Sequence, residues 1–358
     1  MYCQKLVSVC YRDVTFPPVF FINRTPWLGH SDLMRTGMEN ISYTEIFTLT
    51  GFGDMNKTKY VYFLLALIGY LLIIFVNVVL VLVIFLEKNL HEPMYIFLCS
   101  LSVNALYGTA GFYPKLLADL LSETQVIPRA GCFIQIFVIY GYAASEFSIL
   151  TVMAYDRYVA ISKPLHYTNI MTDSVVCKLL AGAWLFPFCN TALTLLFSSR
   201  LPLCGNQIER LYCSNWSVVK LSCVSTTLNN VVGFVVTACT VLPPLYFILY
   251  SYIKILLVCQ KSSKEFRSKA LQTCLPHLTT FINYSITGFC EIALSRLDSK
   301  DMPQIVAAIL SLEFLIIPPL LNPLLYGFHL PEVRKRIINM LRRKQIIPIL
   351  DSSHAAKY

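Results

Sequence analysis

Seven stretches of mostly apolar residues succeed one another in this chain, near 60–86, 94–118, 132–153, 175–197, 229–258, 270–294 and 304–328. A helix of about 20 such residues crosses a hydrocarbon core about 30 Å thick, because each residue adds about 1.5 Å and every backbone donor finds an acceptor one turn back. An open sheet or an irregular segment would leave those groups unpaired in lipid, so seven windows of this length imply seven helices. The composition points the same way: 56% of the residues are hydrophobic and 14% charged, too little polar surface for a soluble chain of 358 residues. The expected fold class is an all-α membrane protein, a seven-transmembrane helix bundle.

An odd number of spans puts the two ends on opposite sides, and Lys and Arg in short loops decide which is which. With the amino end outside, the inner side carries sixteen basic residues against seven acids, among them Lys163, Lys261, Arg267, Arg334 and Arg342. The outer loops and helix ends balance at seven bases against six acids. The net charge of +9 is thus a topology signal, which removes nucleic acid as its reason. The expected location is the plasma membrane, multi-pass, amino terminus extracellular and carboxyl terminus cytoplasmic.

The spans occupy 60–328. Before them, 38–59 reads as a short outer segment with a glycosylation sequon at Asn40, and 1–37 as an extension that lacks the apolar core of a secretory signal. After them, 329–358 alternates bases with Val333, Ile337, Ile338, Met340 and Leu341, the pattern of an amphipathic helix on the inner leaflet followed by a tail.

Isolated polar residues inside such spans are costly and mark function or helix-to-helix hydrogen bonds. Asn77, Asn104, Glu146 and Asn322 form this polar core. Glu146 lies about 16 Å along the helix axis from Arg157, near mid-membrane. At the inner end of the third span stand Asp156, Arg157 and Tyr158. A snorkelling base would explain Arg157 alone, but not the run around it.

That run, MAYDRYVAIS at 153–162, closely resembles the MAYDRYVAIC motif of the olfactory receptors, a branch of the rhodopsin-like G-protein-coupled receptors, with Ser162 where Cys is usual. Lys269, Ala270, Thr273, Cys274 and His277 match the family's KAxxTCxxH pattern, and Ser251 with Tyr252 its SY pair. Pro318, Pro319, Leu320, Leu321, Asn322, Pro323 and Tyr326 match PPLLNPxxY. The resemblance covers roughly 38–344, and details such as GFYPKLLADLL resemble the fish repertoire.

The resemblance implies an odorant receptor that activates a stimulatory-class heterotrimeric G protein and raises cAMP. Asp156 and Arg157 would form a releasable lock, with Tyr158, Tyr252, His277, Asn322, Pro323 and Tyr326 in the coupling machinery. Asn104 stands where most rhodopsin-like receptors place the Asp associated with sodium, and Glu146 is its expected substitute in an ion or polar core.

Of thirteen cysteines, Cys132 stands at the outer start of the third span and Cys204, Cys213 and Cys223 in the long loop before the fifth. They allow three pairings that sequence alone does not rank. The resemblance ranks them as Cys132 with Cys213 and Cys204 with Cys223, which would shape the loop 198–228 into a lid. About four to five turns above Arg157, Ile139, Tyr140, Ala143 and Ala144 are the expected pocket wall. Two alanines leave space, and apolar walls favour a small, partly apolar odorant. Lys115, Glu291 and Glu313 are candidates for a charged contact.

Other classes fit less well. No inverted repeat, filter sequence, GxSxG, HExxH or phosphate loop is present, which disfavours transporter, channel and enzyme readings. The scattered cysteines lack histidines at ligand spacing, so neither metal nor cofactor is expected. A rhodopsin-like receptor for a lipid or peptide is the alternative. The expected partners are a small odorant, a G protein and the bilayer.

Overall fold

The computed structural model describes residues 45–51, 58–296, 304–330 and 332–339. The expected extension 1–37, the sequon at Asn40 and the tail beyond 339 lie outside the described residues.

Among the described residues there are seven long helices: α1 Lys59–Leu86, α2 Pro93–Leu121, α3 Arg129–Ser162, α4 Asp173–Ser199, α5 Thr227–Gln260, α6 Lys264–Arg296 and α7 Gln304–His329. The first five are long and apolar enough to cross a membrane by length and composition alone. The inner end of α6 carries Lys264, Glu265, Arg267 and Lys269. The end of α7, Leu312–Gly327, meets the helix Glu332–Asn339 at 91°, a turn that directs the second helix across the axis of the first. Val333 there is buried, and Arg336 pairs with Glu87 at the end of α1 at 2.9 Å.

Local chemistry sets the helix ends. Pro93 starts α2, where its missing N–H costs nothing. Thr172 caps α4 by accepting from the Val175 amide, with Asp173 in the first turn beside the positive end of the helix dipole. Helix α3 continues beyond the apolar window that ends at 153, because Asp156 and Arg157 satisfy one another and the backbone ladder needs no break there.

Helix α3 is the central column, packed against α2, α4, α5 and α6. Close approach depends on glycine: a Cβ on Gly108 of α2 would run into the ring of Tyr142 on α3. Small residues at such contacts let helices gain dispersion where lipid offers no hydrophobic drive. The opposite faces of α1 and α5 are covered in exposed Leu, Val, Ile and Phe, such as Leu65, Phe75, Val231 and Phe234.

One element escapes the helical reading. A small sheet forms where α1 starts and α2 ends, with β1 Ile46–Leu49 between β2 Val126–Pro128 and β3 Gln207–Ile208. β1 runs antiparallel to β2 and parallel to β3, so the segment before α1 stitches together the loops that follow α2 and α4. The strands are two to four residues long, too short for the alternation that identifies strands in a sequence.

Candidate functional site

A cavity of about 150 Å³ opens between α3, α4, α5, α6 and α7, toward the end of the bundle that carries the loop after α4. On α3 its wall is Ile139, Tyr140, Ala143, Ala144 and Phe147, so all four residues expected from the sequence line it. The fit follows from helical spacing, since 140, 143, 144 and 147 share one face. Tyr284 of α6 donates to the Ala143 carbonyl at 2.8 Å and packs edge-on against Phe147 at 4.9 Å, fixing the floor. Helix α4 adds Asn190, Thr191 and Thr194; α5 adds Thr237, Thr240 and Val241.

The roof comes from the loop after α4. Cys213 is bonded to Cys132 at the start of α3, and Cys204 to Cys223 within the loop. The Cys213 amide also donates to Gln135 Oε1 at 3.0 Å. These ties place Tyr212 in the cavity wall, edge-on to Phe112 at 5.8 Å. Its hydroxyl donates to Glu291 of α6 at 2.6 Å, and Arg210 forms an ion pair with the same carboxylate. Burial, and then the charge of Glu291, hold the Tyr212 phenol well above its usual range, so it remains a donor. Of the three charged candidates, Glu291 alone lines the cavity; Lys115 pairs with Asp119 on its own helix, and Glu313 is half-buried elsewhere on α7.

Below the cavity, Glu146 joins three helices. Its Oε2 accepts from Asn104 Nδ2 of α2 and its Oε1 from Asn322 Nδ2 of α7, both at 2.7 Å. Asn104 Nδ2 also reaches the Tyr142 carbonyl at 3.1 Å. Asn77 donates to the Pro319 carbonyl at 2.8 Å, tying α1 to the proline-bearing part of α7. All four side chains are buried, so these bonds replace water that is not there.

Toward the other end of α3, Asp156 is fully buried and Arg157 half-buried, and the guanidinium grips Oδ2 through both Nε, at 2.9 Å, and Nη2. Tyr167 of the short helix Tyr167–Ile170 donates to Oδ1 at 2.6 Å. Burial, and then the Asp156 carboxylate, push the Tyr167 phenol up, keeping its proton in place. Tyr252 of α5 lies 2.6 Å from His277 Nδ1 of α6, whose Nε2 lies 2.9 Å from the Leu150 carbonyl of α3. Tyr326 is buried, whereas Tyr158 is half-buried beside Tyr250 of α5 at 6.4 Å.

The model of the olfactory receptor family matches residues 65–344, most of the chain and all seven helices. The chain belongs to the olfactory receptor family. It is 35% identical over 317 residues to human Olfactory receptor 6N1, covering 88% of this chain and 100% of that one. It is 32% identical to human Olfactory receptor 10J5, covering 86% and 99%, and 34% identical to mouse Olfactory receptor 4B13, covering 80% and 93%. Among solved structures, squid rhodopsin superposes with a TM-score of 0.65 at 15% identity, covering 79% of this chain and 86% of that one, which speaks to the fold.

As an olfactory receptor the chain is a multi-pass G-protein-coupled receptor of the plasma membrane and not an enzyme. Counting up α3 from Arg157 located one wall of this olfactory receptor's cavity. Helices α5 and α6 and a lid from loop 198–228 were expected around the cavity, but the α4 wall, the lining residues of α5, Tyr212 and the pairing of Arg210 with Glu291 were not, because that pair joins residues 81 apart in sequence with no local periodicity to announce it. The one available signal was the run of Asn190, Thr191 and Thr194, polar residues inside an apolar span.

Proposed function

We propose that this olfactory receptor binds a small, partly apolar odorant in the outer cavity and activates a stimulatory-class heterotrimeric G protein, raising cAMP. The supporting observation is one continuous helix, α3, that lines the cavity with Ala143 and Phe147 and carries both Glu146 and, in its last two turns, the Asp156–Arg157 pair. The distance along it from Ala143 to Arg157 is about 20 Å. A guest that shifts α6 against α3 acts on the same two helices that His277 joins near the inner face.

In this reading Asp156, Arg157 and Tyr167 hold the inner face closed; their release opens a groove for a helix of the G protein. Tyr158, Tyr252, His277, Asn322, Pro323 and Tyr326 reset around it, with Pro323 allowing α7 to bend. The outer disulfides Cys132–Cys213 and Cys204–Cys223 keep the lid in register, Asn40 carries the glycan, and the amino end faces outward. The Asn104–Glu146–Asn322 core presents only oxygens and amides, a donor set that suits a hard monovalent cation; unchanged sodium sensitivity in Glu146→Gln would remove that role.

The test is agonist-dependent cAMP accumulation in cells displaying the receptor, with Arg157→Ala as control. The expected outcome is a response to small odorants that the variant loses at unchanged surface level. A response that persists in Arg157→Ala would overturn the coupling mechanism.

A further inference from the structure

The cavity wall opposite α3 differs from a greasy slot. Asn190 of α4 lines it, and its amide nitrogen is buried without a hydrogen-bond partner. A buried donor left unpaired costs about as much as a good hydrogen bond contributes, so a guest that supplies an acceptor there gains on both counts. The neighbouring hydroxyls are already turned: Thr194 donates to the Asn190 carbonyl at 3.0 Å and Thr240 to the Val236 carbonyl at 2.7 Å. With their protons spent on their own helices, their oxygens face a guest as acceptors.

Charge at the rim is also spent. Glu291 accepts from both Arg210 and Tyr212, so a ligand ammonium would have to compete with a guanidinium already in place, and a ligand carboxylate would have to displace Glu291. Size sets a further limit, since an apolar cavity of about 150 Å³ takes a guest of about one six-membered ring.

We infer that the ligand is an uncharged, ring-sized molecule bearing one carbonyl or hydroxyl oxygen, and that Asn190 is the specificity-determining residue that donates to this oxygen. The inference rests on the odorant reading of the same cavity and narrows it to a chemical class. Hydrocarbons of equal shape fill the space but leave the Asn190 donor unpaired. Alcohols gain a second contact by donating to a Thr194 or Thr240 oxygen.

The experiment uses five ring-sized probes of closely matched volume: cyclohexanone, cyclohexanol, methylcyclohexane, cyclohexylamine and cyclopentanecarboxylate. Binding is read as thermal stabilisation of the purified full-length receptor, and signalling separately as cAMP in cells. The ketone and alcohol are expected to bind about tenfold or more tightly than the hydrocarbon, with the two ions weaker still. Asn190→Leu, close in volume, is expected to bring ketone and alcohol to within about twofold of the hydrocarbon without weakening the hydrocarbon; Asn190→Ser, which keeps a donor, should retain part of the gap.

Equal binding of ketone and hydrocarbon, preference for either ion, or no stabilisation by any probe would overturn the inference. So would an Asn190→Leu variant that weakens every probe alike, since that is the behaviour of a packing residue. The expected order of binding without any rise in cAMP would instead sink the coupling reading and leave the assignment of Asn190 standing. A cAMP response without that order would do the reverse.

Discussion

Glu146 is held by two amide donors, and that arrangement decides what a conservative change does. In Glu146→Gln one carboxylate oxygen becomes an NH₂, so a donor faces Asn104 or Asn322 instead of an acceptor. The expected loss is about 1–2 kcal/mol of stability, measured by thermal unfolding of the purified receptor. Adding Asn322→Ala in that background should cost less than it does alone, the signature of a shared contact. At the cavity, Ala143→Leu adds bulk where the guest sits, so odorant potency should fall by tenfold or more in the cAMP assay at unchanged surface level. Residues such as Ile139 and Ala143 were legible because a fixed helical rise relates them to Arg157. Asn190 was legible only as a polar residue in an apolar span, and its unpaired amide is a property of packing that no local pattern encodes.

Most of the helices were readable almost to their ends, since a hydropathy window is a direct statement about lipid; α3 and α6 run past their windows, to Ser162 and back to Lys264, where charged residues continue the helix outside the apolar run. Their contacts were not. Gly108 looks like any glycine in an apolar run, yet it admits the Tyr142 ring, and Gly108→Leu should abolish surface display. The disulfides differ in the span they close, 81 residues for Cys132–Cys213 and 19 for Cys204–Cys223. Loop-closure entropy makes the longer tie worth more, by about 1 kcal/mol in a chain-entropy picture. Cys132→Ser should therefore reduce surface display more than Cys204→Ser, scored by antibody staining of intact cells. The ranking of these pairs came from family resemblance; the spacing of four cysteines permits three arrangements and selects none.

For the molecule as a whole, the asymmetry of basic residues and the count of spans make one joint demand. An epitope at the amino terminus should be reachable in intact cells and one at the carboxyl terminus only after permeabilisation; both tags on one face would end the seven-span topology. Charge and hydropathy reveal such a layout because they answer to the bilayer, which acts on every residue alike. The small sheet answers to no such field, and its strands became visible only once three distant segments met. That meeting of β1 with both loops has a consequence for how they move. The ribbon 46–49 is hydrogen-bonded to the loop before α3 on one side and to the loop before α5 on the other, so each loop is tethered through it to its neighbour. Severing that tether is expected to speed amide exchange in both loops at once, read by hydrogen–deuterium exchange on the purified receptor.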